Sequence, residues 1–552
     1  MSMKFVIKNS LRKTKSFLRR AFASKEIWRP LLEADSVRWS EAKIRAKGGA
    51  KVLMATSLGG YDNGTILESS LAVSLTLRGA EVHVLLCDKA LPACQMAKLS
   101  KIEPCRFASQ GPADICDSCI NSGTAIYEPL GLPIHTYSQH LGLPEMGFAH
   151  SVAQTISIDK IGSYLFEGLA VGEHAQAGAL RYFARGDLNG EPNAEIILRR
   201  YLDASLRTVF TVRALLRQQR FDVVCFHHGI YVPQGLIGEV CRQEGVRVVN
   251  SNPAYRKQTF IFSHDDTYHH TMIGEPTSVW EYIPWTQEQV KRTMDYLKSR
   301  WYGTNDWIWF HVRPLQDIES IQKATGVDFS RDTVCLLTSV MWDAQLHYSS
   351  NAFGSMLEWV HTTIDHYARR PQTQLVIRVH PAEVSGAVPS RQLMVDEIAR
   401  RFPVLPANVF VIGPESDIST YALAERCRAT LIYNTKTGIE LAAQGIPVVV
   451  AGEAWIRGKG FSIDVVDKAD YGRLLDTLPT ERMLPADVER ARKYAYHFFF
   501  RRMINLPFIS SPAKFEFEID VKSLSDLGPG VHKGLDVVCD GILKGTSFVQ
   551  DE

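Results

Sequence analysis

Residues with phosphate-binding chemistry follow apolar runs in the C-terminal half of the chain. The run 375–379 ends in His380, and Pro381 after it favours extended geometry at His380. An imidazole at a strand end can donate to a phosphate oxygen or stabilise a departing phosphate. For a His-Pro pair taken alone, the alternative is a histidine that is packed for structural reasons.

A second run, 429–433, leads into a turn that is suited to an anion. The turn supplies hydroxyl and ammonium donors and precedes a predicted helix over 438–444, whose free N–H groups favour negative charge. Glu440, in the first turn of this helix, is a candidate to bind a sugar or ribose hydroxyl. The alternative is an ordinary helix cap with a surface lysine. The candidate residues here are Thr435, Lys436, Thr437, Gly438 and Glu440.

A glycine-rich loop, 452–460, follows the next apolar run, 446–451. Its glycines allow a ligand to approach the backbone closely, and its basic side chains can hold a phosphate or an anionic sugar. We predict that Glu453 and Lys459 contribute to this side of the site. The alternative is a mobile polar loop.

The N-terminal half offers candidates for a second substrate. A predicted strand over 51–56 runs into a loop that holds Asp62, either as a general base toward a hydroxyl or as a helix cap. The glycine spacing of the loop does not match a dinucleotide-binding fingerprint. The further binding candidates in this loop are Gly60, Asn63 and Gly64.

A pair of histidines closes another predicted strand, 221–226. Either His227 or His228 is placed to bind an acceptor or to act as the base, and packed histidines are the alternative. The chain contains no D-x-D triplet, so a divalent metal held by that motif is not indicated, and we expect catalysis to require no cofactor.

Alternating strand and helix patterns must position all of these residues. They predict an α/β protein with two Rossmann-like, doubly wound domains in series. Ligands bind such sheets at the carboxyl ends of the strands, where the candidate residues lie. The predicted units are a basic arm or amphipathic helix at 1–45, an N-terminal domain at 46–275, an aromatic connection at 276–331, a C-terminal domain at 332–510 and a tail at 511–552.

Five of the ten cysteines lie between residues 87 and 119. Only one pair in this cluster has the two-residue spacing that is typical of zinc ligands. A structural zinc is one interpretation, an iron–sulfur cluster is a second, and unligated thiols are the alternative to both. The zinc set would be Cys87, Cys94, Cys116 and Cys119.

Charge is balanced overall and uneven along the chain. The net charge of +2 argues against nucleic acid as a partner of the whole protein. Residues 1–30 carry nine Lys or Arg and one acid, which predicts either an amphipathic helix on an anionic membrane surface or a solvated basic arm. We expect a cytoplasmic protein. If the amphipathic helix forms, we expect the protein to lie on the inner face of the cytoplasmic membrane.

The C-terminal motifs together resemble the capsule polysaccharide biosynthesis family, a group of GT-B glycosyltransferases that includes Kdo transferases. The resemblance covers about 332–502 and is carried by Ile377-Arg378-Val379-His380-Pro381, by Thr435-Lys436-Thr437-Gly438-Ile439-Glu440-Leu441 and by the segment from Gly445 to Gly460. It implies two domains that face a cleft. It also implies a CMP-linked sugar whose phosphate lies near His380 and the turn at 435–438.

The main hypothesis is a glycosyltransferase that transfers a sugar from a nucleotide-sugar donor to a surface or capsular polysaccharide or a glycolipid. The C-terminal domain would bind the donor and the N-terminal domain the acceptor. One alternative is a sugar-nucleotide epimerase of the same architecture. The other is a non-catalytic glycan-assembly protein.

Overall fold

Strands and helices alternate along most of the chain in a computed structural model. The structure describes residues 27–302, 306–307, 314–344, 346, 351–512 and 516–551. Of the predicted arm at 1–45, residues 1–26 lie outside these ranges. The strands of the N-terminal half are β1 (Lys51–Ser57), β2 (Glu81–Leu86), β3 (Ile134–Thr136), β4 (Val223–His227), β5 (Arg247–Pro253) and β6 (Thr259–His264). The later strands are β7 (Thr333–Leu337), β8 (Gln374–Arg378), β9 (Val409–Ile412), β10 (Ala429–Ile432), β11 (Val448–Val450), β12 (Ile463–Asp464), β13 (Ile504–Asn505), β14 (Ile509–Ser510) and β15 (Glu518–Ile519).

The N-terminal sheet has a doubly wound core. In the described part of the chain it contains seven strands in the order β13-β6-β5-β4-β1-β2-β3. The strands from β3 to β5 are parallel, and β6 and β13 extend the sheet in antiparallel fashion. The strand order reverses between β1 and β4, so a crevice forms at their carboxyl ends.

The C-terminal sheet repeats this design with parallel strands throughout. Its six described strands run in the order β12-β11-β10-β7-β8-β9. The order reverses between β7 and β10, which places the ends of β7, β8 and β10 around one crevice. Strands buried on both faces explain the nearly continuous apolar runs in the sequence. The predicted class of two Rossmann-like domains is confirmed.

Helices cover both sheets. In the N-terminal half they are Trp28–Ala34, Ser36–Ala46, Asp62–Leu77, Pro104–Gln110, Ala113–Tyr127, Tyr137–His140, Leu143–Thr155, Val171–Phe183, Ala194–Gln218, Gln234–Gln243 and Tyr268–Gly274. The later helices are Gln287–Arg300, Ile318–Thr325, Met356–Ala368, Ala382–Ser385, Met394–Arg401, Thr420–Ala424, Thr437–Ala442, Lys468–Asp476, Pro485–Tyr496 and Lys533–Lys544. No helix in these described ranges is long and apolar enough to cross a membrane.

Both ends of the described chain pack on the N-terminal sheet. Trp28 and Trp39 are almost fully buried in the core that this sheet shares with its helices, so residues 28–46 lie within the N-terminal unit. The last helix, Lys533–Lys544, buries Leu535 and Val538 in the same core, and β13 pairs with β6. The structure therefore places 28–46 and much of 511–552 with the predicted domain 46–275.

The aromatic connection joins the two units through a packed segment. Its helix, Gln287–Arg300, lies where the pattern predicts it and begins with a capping box at Thr286. Trp280 is fully buried and packs against Tyr494 of the helix Pro485–Tyr496, with ring centroids 5.1 Å apart. The connection is therefore part of the core between the sheets.

Candidate active site

A cavity of about 380 Å³ lies at the strand reversal of the C-terminal sheet. Its walls come from the ends of β7, β8 and β10, from the aromatic connection and from two residues of the N-terminal half, Tyr255 and His269. The predicted residues that line it are His380, Thr435, Lys436, Thr437 and Glu453. Side chains that are far apart in sequence thus meet at one place, because parallel strands end at a common edge.

His380 is held in one orientation at the end of β8. Its backbone N–H donates to the Thr338 hydroxyl at 3.0 Å, and its ring Nδ1 accepts the N–H of Ala382 at 3.0 Å. Because Nδ1 accepts a hydrogen bond, the proton of the neutral ring is on Nε2. The ring can therefore offer Nε2–H as a donor to an oxygen in the cavity.

The turn after β10 carries the hydroxyl donors. Thr435 and Thr437 line the cavity and are within 3.2 Å of each other through their hydroxyls. The following helix, Thr437–Ala442, is one residue earlier and shorter than predicted. Beside the turn, the Asn434 side chain accepts the Ser339 hydroxyl, which joins the loops after β7 and β10. The two loops are thus fixed relative to each other.

Gly438 is needed for packing, and its predicted place in the donor-binding turn stays a prediction. A Cβ added at Gly438 would lie 2.6 Å from Ile432 Cδ1 and 2.8 Å from Ile456 Cδ1. The helix therefore needs glycine here to pack closely on β10 and the loop after β11.

Lys436 belongs to a buried charge network. Its ammonium lies 3.1 Å from the Glu440 carboxylate and 4.5 Å from the centroid of the Tyr255 ring. Arg300 contacts the same Glu440 oxygen at 3.0 Å through Nε and also forms an ion pair with Asp306. Two cations and two carboxylates are thus paired at the cavity wall, where Glu440 is the one of the four outside the lining.

Glu440 does not have the exposed position that binding a sugar or ribose hydroxyl would need. Its side chain is fully buried, and its carboxylate also accepts the hydroxyl of Tyr421. Burial alone would raise its pKa, but Arg300 and Lys436 outweigh burial and lower the pKa to about 2. Glu440 is a permanently charged group that orients Arg300 and Lys436.

The loop after β11 contributes one of its two predicted residues. Glu453 lines the cavity. Lys459 does not: it is 1% exposed, and its ammonium donates to the carbonyls of Ile273 and Glu275 at 2.9 and 2.6 Å. Arg457 likewise donates to the carbonyls of Val450 and Gly452. The basic side chains of this loop fix the backbone, which explains why Lys459 is not available to a ligand.

Several lining residues were not predicted from the sequence. Trp301 stacks on Tyr421, with ring centroids 5.3 Å apart and planes 6° from parallel, and both line the cavity. Asp343 lies six residues beyond the end of β7, in the loop that follows this strand, so the strand pattern pointed to its loop. Arg300 and His269 lie in segments without such a signal, and only the tertiary fold brings them to the cavity.

The loop after β1 forms the rim of the N-terminal crevice. Asp62 is exposed and is the first residue of the helix Asp62–Leu77. The N–H of Gly60 donates to the Cys119 sulfur at 3.1 Å. A Cβ at Gly64 would lie 2.5 Å from the Tyr61 ring, so glycine is required there for packing. Asp62 and Asn63 stay candidates for the acceptor side, outside the described lining of the cavity.

His227, the last residue of β4, is buried, and His228 after it is half-buried. Burial lowers the pKa of His227 to about 3 and that of His228 well below its usual value. The His228 ring stacks on Tyr231 and lies 5.5 Å from His269, which lines the cavity. Neutral imidazoles can accept protons, but so low a pKa makes each of them a weak base.

A buried acid, Glu68, is linked by hydrogen bonds to the ends of the strands that form this crevice. Its carboxylate accepts the hydroxyl and the N–H of Thr56, whose hydroxyl in turn accepts the N–H of His227 at 2.9 Å. Burial raises the pKa of Glu68 to about 8, although its bonds to Thr56 and Tyr127 lower it. Glu68 is therefore a neutral acid below that pH.

We expect Glu68→Gln to make the stability of the protein less dependent on pH. Since the folded pKa lies above the ordinary 4.5, the contribution of Glu68 to stability is complete below pH 4.5 and is lost as pH rises through 8. Urea midpoints at pH 5 and pH 8 measure this loss for both proteins. The exposed Glu103→Gln variant should behave as wild type, and an equal pH response in Glu68→Gln would contradict the assignment.

The four cysteines of the predicted zinc set are free thiols in one region. Burial raises the pKa of Cys87 to about 12 and that of Cys116 to about 11, so the thiols are protonated at neutral pH. Among the described residues, no group of three or more His, Cys, Asp or Glu side chains is arranged to hold a metal ion. The zinc set stays a prediction.

Comparison with known proteins identifies the part of the chain that builds the cavity. Residues 310–495 match the model of a family described as capsule polysaccharide biosynthesis protein. The chain is similar to that family over this segment, which is called the capsule-synthesis segment below. The capsule-synthesis segment contains His380, the turn at 435–437 and Glu453, so the matched residues are those that form most of the cavity wall.

Solved structures similar to the chain are distant. No curated protein matches it. The Thermosulfurimonas dismutans KpsC beta Kdo 2,4 transferase is 13% identical with a TM-score of 0.33, covering 56% of this chain and 87% of its own. The Methanocaldococcus jannaschii UDP-GlcNAc 2-epimerase is 10% identical with a TM-score of 0.27, covering 81% and 98%. Similarity at this level does not indicate a function for the chain.

Proposed function

We propose that this protein is a glycosyltransferase that moves a sugar from a nucleotide-sugar donor to a surface or capsular polysaccharide or a glycolipid. The observation that carries the proposal is the meeting of His380, Thr435 and Lys436 in one cavity of about 380 Å³. Pockets for small molecules usually span roughly 300–1,000 Å³. The donor site is therefore assigned to the capsule-synthesis segment.

The cavity has separate features for the parts of a nucleotide sugar. The stacked pair of Trp301 and Tyr421 is a flat aromatic wall of the kind that contacts a base or a sugar. The hydroxyls of Thr435 and Thr437 and the ammonium of Lys436 supply donors for phosphate. We assign the phosphate to the turn after β10 and the nucleoside to the aromatic wall.

Catalysis requires support for the charge that develops on the leaving phosphate. His380 is held by Thr338 and Ala382 with a proton on Nε2, so it can donate to a phosphate oxygen without reorienting. Fixed donors aimed at a developing charge are usually the largest single contribution to catalysis. His380 is thus assigned to the leaving group, with Lys436 beside it.

The acceptor approaches from the N-terminal side. Its hydroxyl must lose a proton, and the candidates for this base are Asp62 and His228 from the sequence and Asp343 from the cavity wall. Asp343 is the one of these three that lines the described cavity. A CMP-linked donor and an acceptor at the inner face of the cytoplasmic membrane complete the proposal, on the strength of the family resemblance and the basic residues at 1–30.

Thermal-shift measurements with CMP, UDP, GDP and their sugars test the donor assignment. A nucleotide present at about 100 times its dissociation constant should stabilise the folded state by roughly 2.7 kcal/mol. We expect CMP to give the largest shift, and Lys436→Gln to reduce it. Lys468→Gln is the matched control, because this exposed lysine pairs with Glu358 away from the cavity.

The outcomes separate the alternatives. A preference for UDP or GDP would reject the CMP-linked donor and keep the glycosyltransferase. Conversion of a UDP-sugar to its epimer without any acceptor would replace the proposal with an epimerase. No shift with any nucleotide or nucleotide sugar would reject the donor site.

A further inference from the structure

Three cations, Lys98, Lys101 and Arg181, lie near one another in the N-terminal half. Arg181, on the helix Val171–Phe183, lies over the Tyr231 ring with its guanidinium carbon 5.0 Å from the ring centroid. One of its N–H groups donates to the carbonyl of Gln95 at 2.7 Å, which fixes the guanidinium beside the segment that carries Lys98 and Lys101. These three side chains are called the crevice cations below.

The crevice cations are not balanced by acids. In the part of the chain that the structure describes, no carboxylate lies within the 4.0 Å limit for an ion pair with any of them. Basic side chains nearby are paired, Arg106 with Asp114 at 2.6 Å and Lys89 with Asp117. Burial, together with Arg181 and Lys101, lowers the pKa of Lys98 to about 8. The crevice cations therefore carry positive charge without a carboxylate at ion-pair distance, on two half-buried side chains, Lys98 and Arg181, and one exposed one, Lys101.

Among the crevice cations, Arg181 lies beside both proposed substrate positions. The Tyr231 ring has Arg181 over it, and its hydroxyl donates to the Asp343 carboxylate, which lines the donor cavity, at 2.9 Å. Arg181 is also close enough to Tyr61, in the loop after β1, to lower the pKa of that phenol against the effect of burial. The positive charge thus stands between the acceptor loop and the donor cavity.

We propose that Lys98, Lys101 and Arg181 bind an anionic group, a carboxylate or a phosphate, on the acceptor glycan. That this anion belongs to an acceptor rests on the proposed function, whereas the anion site itself rests on the crevice. A half-buried cation group without acids is stabilised by an anion, because charge-assisted hydrogen bonds replace lost hydration. A neutral glycan would leave the three cations unpaired.

Calorimetric titration of the full chain with two matched pairs of sugars tests the proposal. The carboxylate pair is N-acetylneuraminic acid and its methyl ester, and the phosphate pair is glucose 6-phosphate and glucose. We expect one of the two acids to bind at least about tenfold more tightly than its neutral partner. The pair that shows this preference identifies the anion. No preference in either pair would overturn the proposal.

Substitutions locate the site. Lys98→Gln, Lys101→Gln and Arg181→Gln should each weaken binding of the preferred acid, by about fivefold or more. Lys101 is exposed, so its replacement tests the site without affecting the core. Arg106→Gln is the matched control and should bind as wild type, because Arg106 is already paired with Asp114.

Lys436→Gln distinguishes this site from the donor cavity. We expect this variant to keep the preference for the acid and Arg181→Gln to keep nucleotide binding. Loss of the acid in Lys436→Gln but not in Arg181→Gln would place the anion in the donor cavity and overturn the proposal. If no nucleotide binds the wild-type chain, the proposed function fails while the sugar titrations still decide the anion site.

Discussion

Replacing His380 with alanine is expected to lower kcat for sugar transfer about 100- to 1,000-fold. The ring offers its Nε2–H to the cavity because Nδ1 accepts the N–H of Ala382 at 3.0 Å. Its donor is thus in place before the glycosidic bond breaks, and alanine removes it. KM for the donor should change much less, because the bond strengthens as charge develops on the leaving phosphate.

Initial rates with a saturating donor measure the effect. His361→Ala is the matched control, since His361 lies on the helix Met356–Ala368 and does not line the cavity. Unchanged thermal unfolding of His380→Ala would show that the loss is catalytic. A kcat within about threefold of wild type would remove His380 from the mechanism.

Replacing Arg300 with methionine is expected to lower the free energy of unfolding by about 3–5 kcal/mol. Arg300 is the shared partner of Glu440, which is fully buried, and of Asp306, which is 4% exposed. Methionine fills a similar volume but leaves two buried carboxylates with less compensation. Urea unfolding at pH 7 measures the loss.

A double-mutant cycle identifies the cause. Arg300→Met combined with Glu440→Gln should lose less stability than the sum of the single changes, because the second removes the uncompensated charge. Arg401→Met is the control, since Arg401 is exposed and 3.5 Å from Asp365. This control should cost less than about 1 kcal/mol. Additive losses in the cycle would show that Arg300 acts through packing alone.

The sequence predicted the residues whose placement depends on strand order. The runs at 374–379 and 429–433 became β8 and β10, and the residues after them, His380 and Thr435, line one cavity. Apolar runs identify buried parallel strands, and such strands end at a common edge, so pattern alone places these side chains.

Roles that depend on tertiary partners could not be predicted. The sequence predicts that Glu440 binds a ligand. In the structure, Glu440 pairs with Arg300, which comes from a different segment. The sequence likewise predicts that Lys459 binds a phosphate. In the structure, its ammonium donates to the carbonyls of Ile273 and Glu275 instead. Short strands such as β3 and β13 were missed because a few residues carry too little periodicity.

The return of the chain to its first sheet has a consequence for synthesis on the ribosome. β13 completes one edge of the N-terminal sheet, and the helix Lys533–Lys544 covers part of its core. The N-terminal sheet, which begins with β1, therefore stays incomplete until β13 and the helix Lys533–Lys544 have been synthesised. Until then, the apolar surface that they cover is exposed. The C-terminal sheet, whose strands all lie between residues 333 and 464, can close first. The sheet that borders the cavity can therefore be complete before the N-terminal sheet is.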